Sequence, residues 1–190
     1  MVTALTTFAL AATMACRSAP AGPSPVPETI AARSLPAGLD PAYVRSVAVV
    51  NSAGQPKRWE GGPFRHCFAP DVDAAALEST ARLMTEISGI PRTTSGPCNV
   101  EWVVDEQQVP LGKPAAAKLS GTDTAIFHAR VAFRYSRGSS QGGIARHEAG
   151  HILGLNHSPR EGDLMSGELF DHTDGVFSAD ELAVLAWMYQ

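Results

Sequence analysis

The stretch His147-Glu148-Ala149-Gly150-His151-Ile152-Leu153-Gly154-Leu155-Asn156-His157 is the most informative segment of this chain. It has the form H-E-x-x-H-x-x-G-x-x-H, which this chain's own His, Glu and Gly content would produce by chance in about one chain in 10⁴–10⁵. On a helix, residues i and i+4 share a face, so His147 and His151 can present their imidazoles to one ion. His157 cannot join them if the helix continues, because it would lie ~15 Å along the axis. Gly154 offers the turn: glycine takes the left-handed conformation that ends helices at little steric cost, which frees His157 to swing under the metal.

Three neutral imidazoles and one open position form the ligand set of catalytic zinc, so one Zn²⁺ is the implied cofactor. Glu148 sits one residue around the helix from His147, where its carboxylate reaches the open position without being a ligand. It is the candidate general base for water attacking a peptide carbonyl. The alternative is an exported lipoprotein binding module with a non-catalytic zinc site, which leaves Glu148 without a use. A zinc hydrolase acting on a non-peptide bond is a third reading.

Eight residues after His157, Met165 stands in Gly162-Asp163-Leu164-Met165-Ser166. The elongated motif and this methionine resemble the zinc site and Met-turn of the metzincins. Within them the matrixins are most similar, on Gly150, on Ser158, and on a capped C-terminal helix after the Met-turn. The resemblance covers about Gly143 to Gln190. It implies an α/β (α+β) fold: a twisted mixed sheet with a backing helix, the active-site helix beneath, and a C-terminal helix. It also implies that Met165 forms a hydrophobic floor under the ligands, and that a protein or peptide substrate lies extended along an edge strand. That edge is expected within Thr124 to Tyr135.

The chain departs from the family in places. Nothing matches the Pro-Arg-Cys-Gly segment that blocks the zinc in matrixin pro-segments. The region Asp105 to Gly143 lacks the His/Asp pattern of the structural zinc and calcium sites, so neither is expected. Ser166-Gly167-Glu168-Leu169-Phe170 replaces the Pro-x-Tyr-like wall of the specificity pocket, so substrate preference does not transfer. No tyrosine closely follows Met165, so a fifth ligand is not indicated.

Around this site, 190 residues with 44% hydrophobic content suffice for one well-buried domain. The formal net charge of −4 and the lack of any Lys/Arg cluster argue against nucleic acid as a partner. Residues 1–16 read as an export or lipoprotein signal, although no basic residue precedes the apolar run MVTALTTFALAATMA. Cys16 stands where a lipoprotein signal places its acylated cysteine, giving a membrane tether through lipid. Ordinary cleavage that discards Cys16 is the competing reading. Residues 17–41 are Pro/Ala/Ser-rich and read as an extended linker, and 42–190 as the catalytic domain.

Within that domain, Val44, Val47, Val49 and Val50 suggest a short strand, Lys57 to Pro63 a turn, and Phe64 to Phe68 a second strand. Val72 to Ile87 reads as a helix capped by Asp71 or Asp73 and ended by Gly89. Cys98 to Val104 reads as a strand, Asp105 to Gly121 as a loop, and Thr124 to Tyr135 as one long strand or a hairpin. In an exported chain Cys67 and Cys98 are candidates for a disulfide, the alternative being two free buried thiols. Phe177-Ser178-Ala179-Asp180-Glu181-Leu182 has the form of a capping box with a hydrophobic staple. The helix it opens offers Leu182, Leu185, Met188 and Tyr189 as its apolar face. His66, His128 and His172 have no partner at ligand spacing and are expected in surface or hydrogen-bonded roles. His172, after the Met-turn, is placed to approach the site and steady an oxyanion.

Overall fold

Asp40 and Pro41 open the domain with a helix start. The Asp40 side chain accepts from the Ala42 amide, Pro41 occupies the first turn, and α1 runs Pro41–Val47. The strand expected from the valines is therefore a helix. Tyr43, Val44 and Val47 fall on one buried face, and only Ala48 and Val50 make isolated bridges, to Leu155 and Pro56. The computed structural model describes residues 35, 38–135, 141–167 and 175–190. Cys16, Glu168, Leu169, Phe170 and His172, which carried sequence expectations, lie outside them.

The sheet is built from β1 (Arg58–Trp59), β2 (His66–Phe68), β3 (Val100–Val104), β4 (Ala115–Gly121) and β5 (Ala125–Phe133). β5 is its centre. β3 pairs with it in parallel from Val100↔Ala129 to Val104↔Phe133, and β1 pairs in parallel at Arg58↔Ala125 and Trp59↔Ile126. β2 joins β3 in parallel, and β4 lies antiparallel along β5. The stretch 57–63, expected as a turn, thus contributes β1.

Two further expectations are corrected here. Thr124 to Tyr135 holds one long strand, but it is flanked by partners and is no edge. The edge is β4, inside the stretch read as a loop, and among the described residues its only strand partner is β5. Ala, Lys, Ser and Gly have weak strand preference, so what holds β4 extended is its ladder to β5 and its seat against the helix Gln141–Ile152.

Burial alternates along the strands as the pleat demands. Val100, Trp102, Ala129 and Val131 point into the core, while Glu101, His128 and Arg130 lie on the other, half-exposed face. There His128 Nε2 donates to Glu101 Oε1 at 3.1 Å and Arg130 also pairs with Glu101. Helix α2 (Ala74–Ser88) is capped by Asp73, whose carboxylate accepts from the Ala75 and Ala76 amides, and ends at Gly89 with φ 70°. It packs beside α3 (Gln141–Ile152), and Leu77 and Met84 join Trp59, Phe64, Trp102, Ala149 and Ile152 in one core. Cys67 and Cys98 form a disulfide with Cα atoms 5.9 Å apart.

Helix α4 (Ala179–Tyr189) carries the expected capping box: Ser178 Oγ accepts from the Glu181 amide, and the Glu181 carboxylate accepts from the Ser178 amide. Its inward face differs from the expected one. Glu181, Val184, Leu185 and Met188 are buried, whereas Leu182 is 40% exposed. The reason is Glu181 itself, whose oxygens also accept from the Leu164 and Met165 amides, so the helix turns this residue inward and Leu182 outward.

Candidate metal centre

Helix α3 places His147 and His151 one turn apart, and the chain then leaves the helix within two residues. Gly154 has φ 99°, and its amide bonds to His151 O at 3.0 Å. The position is closed to any side chain. A Cβ there would stand 2.0 Å from the Lys57 carbonyl oxygen and 2.7 Å from Met188 Cε. Asn156 then donates its amide to Val47 O, fixing the returning chain against α1, and His157 follows directly.

The three histidines converge. Each offers a ligand atom within 4.8 Å of the others, and the ring centroids of His147, His151 and His157 are 4.9 to 5.4 Å apart. His147 Nδ1 lies 2.7 Å from Leu164 O, and His151 Nδ1 lies 2.9 Å from Leu155 O. A carbonyl can only accept, so both Nδ1 atoms carry the proton and both Nε2 lone pairs are left for a metal. Burial pushes the His147 imidazole down to about 3 and that of His151 to about 4, and burial also lowers His157. All three are neutral near pH 7, the state in which imidazole binds zinc. Among the described residues this is the one group of side chains that could hold an ion.

Glu148, the residue after His147 on α3, is buried and turns its side chain to β4. Its carboxylate accepts from the Ala117 amide, and burial raises it to about 7 against the smaller lowering by that bond. Its other oxygen, Oε2, is buried with no protein partner. An antiparallel ladder turns alternate residues outward, and Arg134 N donating to Pro114 O sets Ala115, Ala117 and Leu119 as the residues whose backbone groups point off the sheet. The open edge of β4 thus begins at the general-base candidate.

Met165 is fully buried and lies against the helix backbone: a Cβ on Gly150 would stand 2.3 Å from its Sδ and 3.2 Å from Phe177. That contact explains glycine between the two helical histidines. Met165 sits in a turn closed by Ser166 N to Asp163 O, 3.1 Å, and its carbonyl accepts from the Ser158 amide at 2.7 Å. His66 and His128 lie apart from the centre, as expected. His66 Nδ1 accepts from Trp102 Nε1 at 3.1 Å, and His128 pairs with Glu101.

Several contributors had no sequence signal. The carbonyls of Leu155 and Leu164 and the amide of Ala117 are backbone groups, so no residue type announces them. Tyr43, reaching Asp163 from α1, was hidden by the strand reading.

Three converging imidazoles, two of them with Nε2 lone pairs left free, and a buried, half-partnered carboxylate fit a catalytic zinc ion and its water. Comparison with protein families matches the matrixin model to residues 96–190, from the strand β3 to the last helix. A comparison with curated proteins finds no match. The matched half contains the edge strand, all three histidines, the methionine turn and α4. Matrixins are zinc metalloproteases, and the donor set described above suits their cofactor. With half of its length matched by that model and the three histidines gathered at one point, the chain belongs to the matrixin family.

Proposed function

We propose that the protein is a zinc-dependent endopeptidase acting on extended protein or peptide segments, with His147, His151 and His157 as ligands and Glu148 as general base. The observation that carries this reading is Glu148. A site kept for structure has no need of a buried carboxylate oxygen without a partner on the residue next to a ligand, and such an atom costs roughly 1–3 kcal/mol or more to bury. A zinc ion held by the three imidazoles supplies an electrophile for the scissile carbonyl and lowers the pKa of water to about 7.

The protein's own groups do the rest. Leu164 O and Leu155 O lock the tautomers of His147 and His151 and aim their rings. Glu148 Oε2 takes a proton from the attacking water and delivers it to the leaving amine nitrogen. A carboxyl group raised to about 7 both accepts and returns a proton near neutrality, and general base catalysis of this kind contributes about 10²–10⁴-fold. The Ala117 amide holds the other carboxylate oxygen still. The outward backbone groups of Ala115 and Leu119 give an extended substrate a ladder to join, a case of β-augmentation. Met165 serves as the apolar floor, and Gly154 as the turn that brings His157 home.

We also propose export. The Cys67–Cys98 disulfide supports it, because such bonds persist in oxidising compartments. No helix of the described residues is long and apolar enough to cross a membrane.

The test is digestion of a mixed peptide library by the zinc-loaded protein, with new amino termini identified by mass spectrometry. Cleavage within peptides that stops on chelation and returns with zinc supports an endopeptidase. Removal of terminal residues alone, or no cleavage by a protein that holds one zinc, overturns it.

A further inference from the structure

We infer that Tyr43 and Asp163 are positioning residues for the metal centre: a hydroxyl from the N-terminal helix sets the loop that carries one ligand and orients another. The inference rests on the zinc reading of the three histidines.

The loop 157–165 has no helix or strand to shape it, yet it holds two parts of the centre. His157 is at its start, and Leu164, whose carbonyl receives the His147 Nδ1 proton, is near its end. One buried carboxylate fastens both. Asp163 Oδ2 accepts from Ser158 Oγ at 2.5 Å, immediately after His157, and from Tyr43 OH at 2.7 Å, while Asp163 itself directly precedes Leu164. Glu181 grips the other side of the same turn through the Leu164 and Met165 amides. Ser158, Asp163 and Glu181 are all buried, so water does not substitute for a lost bond here.

Tyr43 is the member that comes from elsewhere in the chain. It is 120 residues from Asp163 in sequence, its ring is buried, and the Arg160 guanidinium covers that ring at 3.7 Å from the centroid. Arg160 in turn pairs with Asp180 at the start of α4. Filling the core asks only for the ring, which phenylalanine would supply equally well. The hydroxyl is explained by this knot: it donates to Asp163 and also meets the Ser158 hydroxyl, the residue next to His157. Burial and the neighbouring Asp163 carboxylate both push the phenol upward, so it remains a protonated donor throughout the working pH range. The geometry therefore runs α1, Tyr43 OH, Asp163, and then both Ser158 beside His157 and Leu164 beneath His147. His157 is the most exposed of the three ligands and the one outside a helix, so its placement depends most on this knot.

Tyr43→Phe in the full chain deletes the hydroxyl and keeps the ring. Removal of such an outer partner is expected to weaken zinc binding about tenfold and to shift the visible absorption bands of the cobalt-substituted protein, which report ligand geometry. Ser158→Ala, cutting the other donor to the same carboxylate, is expected to move both readouts in the same direction. Both are taken well below the melting temperature of each variant. A Tyr43→Phe protein that melts lower but keeps the parent's zinc affinity and cobalt spectrum makes Tyr43 a stability residue only and overturns the inference. Neither readout requires turnover. Failure of the parent to cleave peptides therefore counts against the protease reading alone, while zinc affinity unchanged in both variants counts against this inference alone.

Discussion

A methyl group at Gly154 has nowhere to go. The residue stands at φ 99° with the Lys57 carbonyl 2.0 Å from any added Cβ, and that oxygen belongs to the backbone and cannot rotate away. Left-handed strain and overpacking each cost about 1–3 kcal/mol, so Gly154→Ala is expected to destabilise the domain by about 2–6 kcal/mol in urea unfolding and to weaken zinc binding by displacing His157. His66 gives a second residue-scale expectation. Burial first, and the Arg92 charge next, depress its imidazole from the ordinary 6.5 to about 4, and a proton added at Nδ1 would also displace the Trp102 donor. The folded state thus resists protonation that the unfolded chain accepts. Stability is intact above pH 6.5 and falls between about 6.5 and 4, and His66→Asn, which keeps an acceptor for Trp102, should show a shallower fall in urea melts of the metal-free protein. The three histidines were legible at this scale, His147 and His151 from i, i+4 helix geometry and His157 from the glycine turn before it. The tautomer-setting carbonyls of Leu155 and Leu164 were not, since every residue has a carbonyl and only the folded chain decides where it points.

At the scale of elements, legibility followed how much of each element was specified locally. Helix α2 has its cap, its apolar stripe and its terminal glycine within the consecutive stretch Asp73 to Gly89, and α4 has its capping box, so both were readable. β4 was missed because Ala115-Ala116-Ala117-Lys118 has little intrinsic strand preference and is extended only by its pairing with β5. α1 was missed because its valines were weighed without the Asp40 cap and Pro41, which favour a helix start. The disulfide is the element-scale prediction. It closes 31 residues of sequence around α2, joining β2 to the start of β3, and the chain-entropy treatment gives ~3–4 kcal/mol for such a loop. Reduction, or a Cys67→Ser/Cys98→Ser double variant, should lower stability by about that amount in guanidinium melts while the zinc affinity of the surviving folded protein changes little, because neither cysteine belongs to α3 or the loop after it.

For the whole molecule, the apolar cluster that joins Trp59, Trp102, Phe133, Ile152 and Met188 is built from side chains other than the three histidines. The sheet and helices are therefore held by apolar burial, with metal binding adding stability by mass action. Chelation is expected to abolish activity and lower the melting temperature while leaving the far-ultraviolet circular dichroism largely intact. A collapse to the unfolded spectrum would assign the metal a structural role. The same separation explains why fold and site were unequally legible: the zinc motif is contiguous in sequence, whereas the edge strand, the methionine turn and α1 meet it only through long-range packing.

We propose that Glu148 moves the proton in zinc-dependent peptide hydrolysis, and the most direct measurement compares the zinc-loaded protein with Glu148→Gln on peptides it cleaves. Equal zinc content with a loss of about 10²–10⁴-fold in kcat is the expected result. Equal zinc content with undiminished turnover would contradict it.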